Sequence, residues 1–189
     1  MNLPNKITIA RVFMIPLFLI ALLSGMFSDG TARIVAASIF LLAAMSDWAD
    51  GFLARRLNQT TNFGKFMDPV ADKLLTASAF IALLSMESLA SWMVIVIISR
   101  EFIISGVRLV AVEQGVVIAA SNWAKLKTAI HMVTIVALLL THESIFGSAY
   151  SVLSTVCIAL VWLSVALAVI SAFEYVYKNL DVFKDKGAR

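Results

Sequence analysis

Four aspartates stand between positions 47 and 72 in the run DWADGFLARRLNQTTNFGKFMDPVADK, within sequence otherwise apolar enough for a membrane. Placing a carboxylate at the centre of a membrane helix costs about 3 kcal/mol, so acids in that setting mark function. On a helix, Asp47 and Asp50 lie about 60° apart and Asp68 and Asp72 about 40°, so each pair shares a face. Two such faces, joined by the short polar link Leu57–Phe63, would converge all four carboxylates, and that charge calls for cations. Oxygen donors suit a pair of hard divalent metals, Mg2+ or Mn2+. The alternative is a set of helix-end ion pairs with Arg55, Arg56, Lys65 and Lys73. Four acids at face-matched spacing favour the metal reading.

The elements that position these acids are long and apolar. Of 189 residues, 61% are hydrophobic and 14% charged. The mean hydropathy of +0.93 is far above that of a water-soluble domain. Six stretches approach the roughly 20 residues needed to cross a bilayer. They are Ile9–Phe27, Ala32–Ala54, Phe66–Leu84, Leu89–Val110, Ala124–Leu140 and Ser148–Tyr177. The pattern predicts an all-α polytopic membrane bundle of six transmembrane helices, with residues 1–189 forming one domain.

Positive charge sets the orientation. Lys6, Arg11, Arg55, Arg56, Lys65, Lys125, Lys127, Lys178, Lys184, Lys186 and Arg189 all fall on one side of a six-span arrangement, which puts both termini in the cytoplasm. Arg33 is the lone counterexample. The first span is expected to stay as an uncleaved anchor, because no small-x-small site stands out before Ser28–Thr31. The net charge of +3 suits anionic lipid headgroups on the cytoplasmic side, with no need for a nucleic acid partner.

Other residues carry plainer expectations. Cys157, the single cysteine, excludes an intrachain disulfide and reads as a small core residue. His131 is expected to be a satisfied polar residue in a span and His142 an exposed loop residue, neither a metal ligand. Trp92, Trp123, Tyr150, Tyr175 and Tyr177 fall near span ends, as interfacial anchors do. Gly51 and Ala54 allow close approach of a ligand or of a neighbouring helix. Gly64 and Pro69 fit the first turns of the third span. Arg100 and Arg108 lie too deep in the fourth span to be ordinary loop charges, which favours a pocket, although Glu101 could pair with Arg100.

Asp47, Asp50, Gly51, Ala54, Arg55, Gly64, Asp68 and Asp72 fit D-x2-D-G-x2-A-R-x8-G-x3-D-x3-D without a gap. The chain thereby resembles the CDP-alcohol phosphatidyltransferases. Asn5, Thr8 and Arg11, the run Arg100–Ser105 with Arg108, and Lys125 to Thr128 extend the similarity over nearly the whole chain, toward the phosphatidylglycerophosphate synthase branch. Ala124 departs from that branch, where glycine is usual.

The resemblance implies transfer of a phosphatidyl group from CDP-diacylglycerol to glycerol 3-phosphate, releasing CMP. It implies two divalent cations on Asp47, Asp50, Asp68 and Asp72, with Asp72 also acting as the base for the acceptor hydroxyl. Gly51, Ala54, Arg55 and Gly64 would hold the donor nucleotide, with Asn5, Thr8 and Arg11 around its phosphates. The acceptor brings its own phosphate, for which Arg108 and Lys125, then Arg100 and Lys127, are the candidate cations. A homodimer in a bacterial cell membrane is expected on the same ground. Asp47 lies eight residues from Arg55, about 12 Å of helix rise, so a lipid pyrophosphate near the cytoplasmic headgroups could reach it.

Three other readings stay open. The same chemistry could serve another acceptor, such as inositol phosphate, serine or phosphatidylglycerol. The acids could form the path of a divalent-cation transporter, which the neighbouring Gly51, Ala54 and Arg55 and the lack of repeat symmetry disfavour. A structural membrane scaffold would leave the four carboxylates without a purpose.

Overall fold

The computed structural model describes residues 3–57, 62–113 and 122–179, with side chains over 7–46, 67, 69–112 and 122–179. Among these residues the protein is all helical: α1 Leu3–Leu23, α2 Asp29–Leu57, α3 Asn62–Ser85, α4 Ser91–Glu113, α5 Asn122–Leu140, the short α6 Glu143–Phe146, a 3-10 turn, and α7 Tyr150–Lys178. Each of the six apolar stretches coincides with a long helix. Among the described residues three segments are long and apolar enough to cross a membrane by length and composition: Asp29–Ser46, Asn122–Leu140 and Glu143–Lys178. Ile7–Leu23 is a shorter apolar helix. Charged residues interrupt the hydropathy of α3 and α4. The chain is an integral membrane protein.

Local chemistry sets the helix ends. Gly25, at φ +71°, follows α1 and takes a backbone conformation that costs other residues a steric penalty, so α1 stops at Leu23, short of the expected Phe27. After α3, Glu87 takes φ +57°, with its amide on the Leu84 carbonyl and that of Ser88 on the Leu83 carbonyl. This is the paired closure that ends a helix through a left-handed residue. α3 begins at Asn62, so Pro69 lies two turns inside the helix and not in its first turns as expected. Its ring withholds one amide from the helical ladder there.

The residues group into two compact units, each discontinuous in sequence. The first comprises residues 1–89 and 135–157. Within it α1 packs on both α2 and α3, and α2 on α3. Phe18 and Phe40 meet across this packing at 6.1 Å between ring centroids. Ala36, Ala37, Ala43, Ala71, Ala79 and Ala82 are buried, and such small side chains let helix backbones approach closely. Arg33 is buried too, and its Nη1 donates to the Leu138 carbonyl in the last turn of α5 at 3.3 Å. That bond occupies the cation outside the expected positive side with capping a helix end. Cys157 is buried as expected, with its Sγ 3.3 Å from Thr141 Oγ1.

The second unit comprises residues 90–134 and 158–189. Its buried positions recur at helical intervals: Ile97, Arg100, Ile104, Val107 and Ala111 on α4; Lys127, His131 and Thr134 on α5; Ser164, Ala168, Ser171 and Tyr175 on α7. Much of this interior is polar. Thr134 and Ser164 join α5 to α7 through a 2.8 Å hydrogen bond, and Thr134 Oγ1 also donates to the Ile130 carbonyl. At the apolar end, Trp92 and Trp162 lie 5.6 Å apart.

Candidate active site

In the first unit, α2 continues without a break through Asp47 and Asp50, and α3 through Asp68 and Asp72. The helical register on which the paired faces depend is therefore present. The side chains of Asn5, Asp47, Asp50, Gly51, Ala54, Arg55, Gly64 and Asp68 lie outside the described residues. Asp72 is half-buried, and its carbonyl accepts from Thr76 Oγ1 at 2.7 Å, one turn along α3.

Thr8 and Arg11, one turn apart on α1, are both fully buried, Arg11 at 1% exposure. The Arg11 guanidinium reaches α2, where Nε lies 3.4 Å from Ser46 Oγ, and Ser46 in turn donates to the Ala43 carbonyl at 2.7 Å. Ser46 directly precedes Asp47. Arg11 thus places a buried guanidinium against the residue before Asp47, and the planar fork of an arginine suits carboxylates and phosphates. Among the described residues no three His, Cys, Asp or Glu side chains converge. The acids themselves are oxygen donors throughout, a set that fits hard divalent cations.

In the second unit the expected acceptor cations divide into two kinds. Arg100 and Lys127 are buried, at 6% and 5% exposure, and both contact the same atom, Glu101 Oε1. The Arg100–Glu101 separation is 3.2 Å, and Arg100 Nε also donates to Ser171 Oγ on α7 at 3.1 Å. One carboxylate thus binds α4 to α5 while Arg100 binds α4 to α7. Arg108 and Lys125 are instead exposed. Arg108 Nε donates to Tyr175 Oη at 3.2 Å, and its guanidinium carbon lies 5.9 Å from the Tyr175 ring centroid.

Tyr175 departs from expectation. Only 3% exposed, it packs with Ile104 and Val107 in place of standing at an interface. Tyr177, two residues on, is exposed as an anchor should be. The sequence signal for Tyr175 was its place on the Ser164–Ser171 face of α7, which a reading by distance from the span end passes over. Glu101 was visible as a neighbour of Arg100; its contact with Lys127, 26 residues away, was not.

A helical membrane protein with aspartates at fixed intervals on two packed helices, and a separate set of buried and exposed cations, has the parts of an enzyme acting on anionic lipid substrates. Residues 1–170 match the CDP-alcohol phosphatidyltransferase family, and the chain belongs to it. The chain is 42% identical over 192 residues to the CDP-diacylglycerol–glycerol-3-phosphate 3-phosphatidyltransferase of Bacillus subtilis, covering 97% of each chain. The proteins of the same name from Sodalis glossinidius and Rickettsia felis are 39% and 35% identical. These matches cover 94% of each chain for the first, and 92% of this chain with 93% of the relative for the second. The protein is a phosphatidyltransferase.

Proposed function

We propose that the protein transfers the phosphatidyl group of CDP-diacylglycerol to glycerol 3-phosphate, giving phosphatidylglycerophosphate and CMP. The observation that carries this reading is the ungapped motif from Asp47 to Asp72 on two continuous helices that pack against each other and against α1. The names of the aligned relatives support the choice of acceptor.

Asp47, Asp50, Asp68 and Asp72 would hold two divalent cations, Mg2+ or Mn2+, which when bound supply positive charge against the donor pyrophosphate. Asp72 takes the proton of the acceptor hydroxyl as its oxygen bonds to the lipid-side phosphorus and the bridge to CMP breaks. Gly51, Ala54, Arg55 and Gly64 line the nucleotide, with Asn5, Thr8 and Arg11 about its phosphates. Buried Arg11 beside Ser46 supports that role. Arg108 and Lys125 bind the acceptor phosphate directly, since both are exposed, while Arg100 and Lys127 shape that subsite around Glu101.

Six spans in one domain, cytoplasmic termini, a cytoplasmic-side active site in a bacterial cell membrane and a homodimer complete the proposal. The positive residues at one side of the six-helix arrangement support the orientation. Cysteine labelling from each side tests it, and cross-linking in membranes tests the dimer.

The deciding assay is CMP release by purified protein in mixed micelles of CDP-diacylglycerol with Mg2+ or Mn2+. Glycerol 3-phosphate is compared with glycerol, serine, inositol phosphate and phosphatidylglycerol. Release that needs both metal and glycerol 3-phosphate is expected. Preference for another acceptor would overturn the substrate and keep the chemistry.

A further inference from the structure

We infer that Tyr175 is a positioning residue for the acceptor phosphate, acting through Arg108; the inference rests on the role proposed above for that arginine. Arg108 is exposed on α4, and a long exposed side chain samples many rotamers unless something restrains it. Its partner among the described residues is Tyr175, whose Oη accepts from Nε at 3.2 Å while the ring lies 5.9 Å from the guanidinium carbon.

The choice of nitrogen matters. A guanidinium bound through Nε keeps its two terminal nitrogens, the pair that forms a fork with phosphate oxygens, for another ligand. A carboxylate partner would compete with such a ligand by offsetting the arginine's charge, as Glu101, shared between Arg100 and Lys127, does in part. A phenol hydroxyl orients the group and leaves its full charge. Tyr175 is itself held, because its ring is buried against Ile104 and Val107, and its carbonyl accepts from Asn179 Nδ2 at 2.7 Å. Those apolar contacts come from α4 itself, Ile104 one turn before Arg108 and Val107 directly before it, so the hydroxyl is held close to the arginine's own backbone. The result is a preorganised cation, which binds an anion with less loss of side-chain freedom.

The test is Tyr175→Phe in the full-length protein, which removes one oxygen and keeps the ring. KM for glycerol 3-phosphate should rise roughly three- to tenfold, the range for loss of one ordinary hydrogen bond, because Tyr175 acts through Arg108 and does not itself touch the phosphate. KM for CDP-diacylglycerol and the melting temperature should stay unchanged. Tyr175→Phe should have no further effect in an Arg108→Ala background, nor in Arg108→Lys, where no Nε proton remains to be held. If Arg108→Ala raises the acceptor KM but Tyr175→Phe does not, the positioning role is wrong while the acceptor site stands. If Arg108→Ala leaves the acceptor KM alone, the acceptor-site reading fails and this inference with it. Additive effects in the double variant, or equal losses for both substrates with a fall in melting temperature, would assign Tyr175 to packing and overturn the proposal.

Discussion

The acids of α2 and α3 stand three or four residues apart within a helix, whereas the cations of α4 and α5, apart from the pairing of Arg100 with adjacent Glu101, find their partners 26, 67 and 71 residues away. The two regions solve opposite problems. The metal role proposed for the carboxylates needs each pair on one face, which spacing along each helix secures, and then the packing of α2 on α3. The acceptor role proposed for the cations needs restraint instead, and partners on other helices supply most of it. Within the second region the same contrast recurs at closer range. Arg100 and Lys127 are buried and share the one carboxylate of Glu101, while Arg108 is exposed and held by a hydroxyl.

The comparison breaks most sharply at Asp72. If the acids are the reacting centre, Asp72→Asn should lower the rate of CMP release by roughly a hundred- to ten-thousandfold, the range for losing a general base. The melting temperature should hold, because an amide is isosteric and leaves the backbone bond from Thr76 untouched. Removing divalent metal with a chelator should abolish release from the unsubstituted protein and be reversed by Mg2+ or Mn2+. Near-normal turnover by Asp72→Asn would sink the assignment of the base.

That difference in range also explains what could be read from the residues alone. The six helices follow from apolar length, and the acidic motif from spacing within helices, so both were legible in the sequence. The apolar stretch Phe66–Leu84 is shorter than α3, which begins at Asn62, because polar Asn62 to Lys65 carry no apolar signal although they are helical. Tyr175 was misplaced because aromatic residues near span ends often are interfacial, and its burial depends on Ile104 and Val107 of another helix. The capping of α5 by Arg33 was hidden for the same reason, since its partner is a backbone carbonyl 105 residues away.

Glu101 tests the other side of the comparison. Glu101→Gln would leave Arg100 and Lys127 buried without the carboxylate they share. Breaking buried pairs in this way costs about 3 kcal/mol, with less expected here because Glu101 is 24% exposed. A lower melting temperature, with part of the loss recovered in Glu101→Gln/Lys127→Met, is the expected result. Unchanged stability in Glu101→Gln would remove the distinction between compensated and restrained cations.

Arg108→Ala should reverse that pattern, leaving the fold intact and weakening acceptor use. Charge-assisted hydrogen bonds contribute about 1.5–3 kcal/mol, so KM for glycerol 3-phosphate should rise roughly ten- to a hundredfold, with kcat and the donor KM little changed. A melting curve for the same preparation separates this outcome from that of Glu101→Gln.

The smallest effect belongs to Lys178, which asks whether position or mere positive charge sets acceptor affinity. Its side chain is 64% exposed, and its Nζ lies 2.7 Å from Glu174 Oε1 one turn back on α7. Glu174 also directly precedes Tyr175. An i,i+4 pair whose cation stands in solvent adds about 0.5 kcal/mol, so Lys178→Ala should barely move the melting temperature. If the acceptor phosphate is bound by restrained cations, the KM for glycerol 3-phosphate should also stay within about twofold, since screening at ordinary salt limits the reach of a solvated charge to about 10 Å. A tenfold rise, suppressed by added salt, would instead mean that the whole basic end of the protein gathers the anion by its field. Arg108 would then be one contributor among several, and its restraint by Tyr175 would matter less than its charge.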